Sequence, residues 1–140
     1  MSELNAKKCI IVVNAELPVG IIVNAAACLG FSLGSVLPHE VGPAQKDADG
    51  VAHGRLVNLP VSILRADAEK VKEIVDRAYL IDDLTVFDMS DKAQISKTQE
   101  EYGAAIAATK NADLKYWAVA MYGDKKVVNK LGGGLRLFGR

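Results

Sequence analysis

The sequence predicts a single α/β domain, residues 1–140, in which a four-stranded sheet carries helices packed on it. Short β-branched runs alternate with longer segments of helical periodicity, in the order strand, helix, strand, helix, strand, helix, strand. The 140 residues are half apolar and 24% charged, a globular balance that excludes disordered, collagen-like and low-complexity architectures. A chain this long buries roughly two-thirds of its unfolded surface, so one core holds it without disulfides or a structural metal.

Lys8 to Val13 is a continuous run, β-branched from Ile10 onward, as in a strand buried on both faces. Asn14 to Pro18 breaks it, and Pro18 suits a first helical position. From Pro18 to about Leu33 the residues Ile22, Ala25, Ala26, Leu29 and Leu33 recur at helical spacing, while the other side carries Asn24, Ala27 and Phe31. So apolar a helix is expected to be covered on most sides. Residues 35–54, with Pro38, Gly42, Pro43, Gly50 and Gly54, read as one long loop.

Leu56 to Leu64 reads as the second strand, with Pro60 at an edge or bulge. Asp67 to Tyr79 is an amphipathic helix with Asp67 as N-cap and Val71, Ile74, Val75 and Ala78 as its apolar stripe. Its charged residues are a solvated face. Leu84 to Phe87 is the third strand, followed by the polar turn Asp88 to Lys92. Thr98 to Lys110 is the third helix and Lys115 to Met121 the fourth strand. After a turn at Tyr122 to Asp124, Lys125 to Leu131 is expected to continue the strand or pair with it as a hairpin.

Cys9 and Cys28 both lie in apolar surroundings and read as buried hydrophobes in a reducing, cytoplasmic compartment. Ala25-Ala26-Ala27-Cys28 has the look of a lipoprotein cleavage site, but Asn14 and Glu16 interrupt the apolar stretch an export signal needs. The uncharged span Leu17 to Pro38 holds Pro18, Gly20, Asn24, Gly30, Ser32 and Gly34, and reads as buried in protein rather than in a membrane.

Equal numbers of basic and acidic residues, 17 each, argue against a general nucleic-acid or anionic-membrane binder. The charge is uneven, however. Residues 115–140 hold Lys115, Lys125, Lys126, Lys130, Arg136 and Arg140 against Asp124 alone. A basic segment beside a carboxylate crevice would suit a phosphate-bearing ligand, and lysines guarding an edge strand would read the same way.

No metal site is expected. His39, His53, Asp47 and Asp49 share the long loop without zinc spacing, and a calcium loop would put Leu56 where the glutamate belongs. Gly132 to Gly134 is a poor phosphate loop, because only six residues follow it. No nucleophile elbow or Ser-His-Asp arrangement is present in the sequence.

The turn from Asp88 to Lys92 carries more. Ligands of α/β sheets sit outside the carboxyl ends of parallel strands. If the third strand runs parallel to the first, Asp88 and Asp91 lie near Asn14, Glu16 and the start of the first helix. An ordinary capping turn, with Ser90 or Asp91 starting a helix, accounts for the same residues.

Lys8 to Gly20 followed by Ala25 to Cys28, Trp117 to Gly123, and Val127 to Leu137 together resemble the type 2 peptidyl-tRNA hydrolase superfamily, specifically its uncharacterised bacterial branch, domain of unknown function 2000. The resemblance implies a mixed four-stranded sheet with helices on both faces. Its hydrolases use a lysine just inside the first helix, and an aspartate followed by a threonine after the third core strand, without metal or cofactor. Here Gly20 to Asn24 contains no lysine, Asp88 lies within a residue of the aspartate position, and Ala93 replaces the threonine.

Polarising an ester and orienting water need polar groups at those places. The expectation is therefore a catalytically diverged protein that binds a small ligand or partner at the crevice between the first helix and the turn after the third strand. The ligand-binding residues would be Asn14, Glu16, Gly20, Asn24, Tyr102 and Lys130. The alternative is an esterase acting on peptidyl- or aminoacyl-tRNA, with Asp88 or Asp91 as general base. The small residues of the first helix make a homodimer the expected assembly.

Overall fold

The computed structural model describes residues 6–140. A four-stranded mixed sheet is formed by β1 (Lys7–Asn14), β4 (Val61–Ala66), β5 (Thr85–Ser90) and β6 (Tyr116–Asp124), in the order β4-β1-β6-β5. β1 pairs parallel with β4 and antiparallel with β6, and β6 pairs antiparallel with β5. The fold class is the expected one. β5 points the same way as β1, but β6 lies between them.

The alternation along β1 divides the core. Ile10 and Val12 face α2 (Ala68–Ala78) and α5 (Lys125–Gly132), whereas Cys9, Ile11 and Val13 face α1 (Val19–Val36). α2 begins where the Asp67 side chain accepts from the Lys70 amide at 2.8 Å, and it buries Val71, Ile74, Val75 and Ala78. Each of those aliphatic side chains larger than alanine contributes about 1.5–3 kcal/mol on burial.

α1 corrects one expectation. Ile22, Ala25, Leu29 and Leu33 pack on the sheet, but the opposite face is open: Phe31 is 85% exposed, and Val19, Val23 and Cys28 are exposed too. Cys9 is buried as expected, Cys28 is not, and both are free thiols. Pro18 is the N-cap of the helix rather than its first residue.

The second strand begins at Val61, so Pro60 stands before it instead of inside it. The segment after β6 is a helix, not a hairpin partner. Asp124 accepts from the amides of Lys126 at 2.9 Å and Val127 at 3.4 Å, which starts α5, and Val128 and Leu131 are buried three residues apart.

The three glycines that follow have structural reasons. A Cβ on Gly132 would stand 2.5 Å from the Ile10 side chain, and one on Gly133 would stand 2.5 Å from the Asn129 carbonyl oxygen. Gly134 has φ +84°. The chain turns there and runs back along the sheet. Arg65 donates to the Arg136 carbonyl and Phe138 to the Ile63 carbonyl, both at 2.8 Å, which covers the outer edge of β4.

The long loop contains a small hairpin, β2 (Gln45–Lys46) with β3 (Ala52–His53). Asp47 holds its turn by accepting from the Asp49 and Val51 amides at 3.0 Å, and pairs with His53 at 2.9 Å. His53, Asp47 and Asp49 serve this turn, whereas His39 sits apart with its ring edge-on to Tyr122.

Candidate functional site

β5 is the free edge of the sheet, and two short helices follow it. The Ser90 side chain accepts from the Lys92 amide at 3.2 Å and starts α3 (Asp91–Ile95). Ser96 donates to the Lys92 carbonyl at 2.6 Å, closing that turn. Thr98 then caps α4 (Gln99–Ala107) by accepting from the Glu101 amide at 3.1 Å, while the Glu101 carboxylate accepts from the Lys97 amide at 2.7 Å. This reciprocal cap fixes the entry of α4.

α4 buries no residue fully, so it stands beside the body instead of under it. Between it and α1 lies a cleft of about 390 Å³. Cys28, Leu29 and Ser32 of α1 form one wall. Asp88 and Met89 of β5 form the base, and Ala93 with Ser96 one end. Lys97, Thr98, Gln99 and Tyr102 form the facing wall. Buried Leu29 and Met89 give the cleft an apolar floor under a polar rim, the usual character of a small-molecule site.

Asp88 sits mid-strand, and one carboxylate oxygen accepts from the Tyr79 hydroxyl at the end of α2. Among the described residues it has no ion-pair partner. Three tyrosines feel its charge. Burial first, then the bond to Asp88, pushes the Tyr79 phenol far above its ordinary range. Burial followed by the Asp88 charge pushes Tyr116 up to about 12 and raises Tyr102. The three phenols stay neutral donors beside a carboxylate.

The other expected site residues are distributed elsewhere. Asp91 starts α3; its amide donates to the Lys115 carbonyl at 2.9 Å, Oδ2 lies 3.6 Å from the Lys92 ammonium, and Oδ1 is buried without a partner. Asn14 is buried at the end of β1 and accepts from the Glu16 amide at 3.0 Å. It lines a second recess of about 500 Å³ with Glu69, Lys72, Lys115 and Trp117. The β5–β6 register skips Trp117, a bulge that turns this residue at the sheet end, and its indole nitrogen is buried without a partner.

Asp88 stands at the level of Val12, two strands away from β1, so roughly 10 Å separates the two strand axes. The structure thus sets Asp88 and Tyr102 beside one cleft and Asn14 beside another, with the Asp88 carboxylate turned to the α2 face of the sheet, where Tyr79 and the paired residue Val119 lie. Asn24 is one turn from Cys28, with its side-chain oxygen 3.8 Å from the thiol. Glu16 and Gly20 are exposed and line neither space. Lys130 is exposed on α5, the helix packed on the face opposite α1. Sequence reasoning missed Cys28, Ser32, Met89 and Lys97, since the outer side of α1 was expected to be covered.

A family described as "Protein of unknown function (DUF2000)" matches residues 7–138. The chain belongs to the DUF2000 family. Among solved structures, the DUF2000 chain is similar to a protein of unknown function from Agrobacterium tumefaciens strain C58, with a TM-score of 0.87 at 19% identity over 96% of this chain and 98% of that one. At that identity the likeness is one of fold. No curated protein matches the DUF2000 chain.

Proposed function

We propose that this protein binds a small polar molecule in the cleft between α1 and the α3–α4 segment. The observation that carries this reading is a cleft of about 390 Å³ on the α1 face, with an apolar floor of Leu29 and Met89 and a polar rim of Ser32, Ser96, Lys97 and Thr98.

The test is a thermal-shift screen of metabolites, repeated on Ser32→Trp, which fills the cleft from the α1 side. A ligand at one hundred times its Kd adds about 2.7 kcal/mol to stability. The reading expects such a shift in the wild type and its loss in Ser32→Trp. A ligand whose shift survives Ser32→Trp would place binding elsewhere.

Hydrolysis of a peptidyl- or aminoacyl-tRNA ester is the second reading, favoured by Asp88 near the end of the third core strand, close to where the hydrolases this sequence resembles carry their aspartate. Lacking a lysine in the first turns of α1, the cleft has no cation on that wall to polarise the ester. The expected result with an N-acylated aminoacyl-tRNA is no turnover beside an active hydrolase.

A further inference from the structure

We propose that the recess between the start of α2 and residues 112–117 binds a small carboxylic acid with an apolar body, its carboxylate on the Asn14 side-chain amide and Lys115. This site lies on the α2 side of the sheet, away from the α1 cleft, and does not rest on the reading of that cleft.

Asn14 carries the inference. It continues the alternation of Ile10 and Val12 along β1, so its side chain is on the α2 face. The residue is only 5% exposed, and its side-chain oxygen accepts from the Glu16 amide at 3.0 Å. That bond leaves the side-chain nitrogen with two N–H groups, and no described residue accepts from them. The nitrogen is not sealed in the core either. Asn14 lines the recess of about 500 Å³ together with Ala68, Glu69 and Lys72 of α2, so the nitrogen opens into that space. A donor held in this way takes an acceptor oxygen from water or from a ligand that displaces the water.

The other walls define the rest of the ligand. Ala112, Leu114, Tyr116 and Trp117 present mostly apolar surface, two of them through aromatic rings. The two lysines of the lining differ. The Lys72 ammonium is already used, donating to Asp76 at 3.0 Å and to the carbonyl and side-chain oxygens of Asn111 at 2.9 and 3.1 Å. Lys115 is exposed and, among the described residues, forms no ion pair. Its backbone is held in place where its carbonyl accepts from the Asp91 amide at 2.9 Å. The β1–β6 register, which sets Val13 opposite Ala118, continues to Asn14 opposite Trp117, two residues from Lys115. A carboxylate at this end of the sheet meets a buried amide donor and a free ammonium together. Glu69 is the one acidic residue of the lining and is exposed, so it weakens that attraction without closing the recess.

Trp117 is the chain's single tryptophan, and its emission reports on the recess directly. Titration of the full chain with phenylacetate and with phenylacetamide, followed by fluorescence and by calorimetry, tests the inference. The acid should change the emission saturably and bind at least tenfold tighter than the amide. Asn14→Asp keeps an acceptor for the Glu16 amide and replaces the donor with a negative charge, and should lower affinity for the acid at least tenfold. Lys115→Gln, at an exposed position, should abolish most of the preference for acid over amide. Glu69→Gln should tighten the acid severalfold.

Equal affinity for phenylacetate and phenylacetamide overturns the inference. Acid binding that is unchanged in Lys115→Gln, or unchanged in folded Asn14→Asp, overturns it as well. So does a wild-type titration to millimolar acid without heat or change in emission. Heat of binding with no response from Trp117 would place the acid elsewhere on the protein, with the same consequence.

Discussion

The hydroxyl of Tyr79, at the C-terminal cap of α2, donates to the carboxylate of Asp88 in the middle of edge strand β5. This one bond ties the helix on one face of the sheet to the strand whose other side opens into the cleft. Tyr79 is half-exposed, so its role is to hold a charge in position more than to fill the core.

Tyr79→Phe removes the donor and keeps the ring. A hydrogen bond to a charged acceptor contributes about 1.5–3 kcal/mol when buried, and less where water competes. The expected loss in urea denaturation is therefore about 0.5–1.5 kcal/mol. A loss above that range would mean that Tyr79 supports the core directly.

All four tyrosines of the chain, Tyr79, Tyr102, Tyr116 and Tyr122, have raised phenol pKa values. Burial leads in each, with Asp88 acting on the first three and Glu40 on Tyr122, whose hydroxyl donates to the Glu40 carboxylate. The folded protein thus holds phenol protons that the unfolded chain releases near pH 10. Stability from these groups is complete below about pH 10 and is lost as pH rises toward the folded values, about 12 for Tyr116 and Tyr122. Cys9, raised by burial and then by Glu40 to about 11, adds to the same alkaline loss from about pH 9 upward. Absorbance at 295 nm should show the native phenols titrating above their positions in concentrated urea, with Tyr116 and Tyr122 at about 12. Tyr116 or Tyr122 titrating at its urea value in the native protein would contradict this environment.

Much of the fold was legible because it is written in periodicity. The Val and Ile run of β1 and the stripe Val71, Ile74, Val75, Ala78 admit one reading each. α5 was not legible in this way. Val127 and Val128 are β-branched and follow a strand, and local preference favours continuing it; the Asp124 cap and the burial of Val128 and Leu131 against β1 and α2 decide for helix. At the site, the third strand was expected to end at Phe87 with Asp88 in a turn, but it runs on to Ser90 and holds Asp88 within it, because Asp88 and Met89 pair with Val119 and Ala118 of β6. Cys28 and Ser32 could not be placed at the cleft from sequence, because the position of α4 depends on a reciprocal cap and on packing that leaves no apolar stripe in its sequence.

Two glycine substitutions should act in opposite directions. A Cβ on Gly133 would press on the Asn129 carbonyl oxygen, a backbone atom that cannot swing away. Gly133→Ala should cost about 1–3 kcal/mol. Gly30 on α1 has nothing within 4 Å of the added Cβ. Gly30→Ala should stabilise the chain by about 0.5–1 kcal/mol through helix propensity. Urea denaturation of both variants checks the pair. A destabilising Gly30→Ala would show that the open face of α1 is covered in solution.

The two cysteines should differ in reactivity, and the difference reports on the cleft. Cys9 is 3% exposed with its thiol pushed up to about 11, so at pH 8 it is both shielded and protonated. Cys28 is exposed on the cleft wall beside Ser32 and across from Lys97. A disulfide reagent at pH 8 should modify one thiol quickly and the second only on unfolding, with Cys28→Ser abolishing the fast phase. A compound seated in the cleft lies against Cys28 and should slow that phase in proportion to occupancy. A ligand that never protects Cys28 binds outside this cleft.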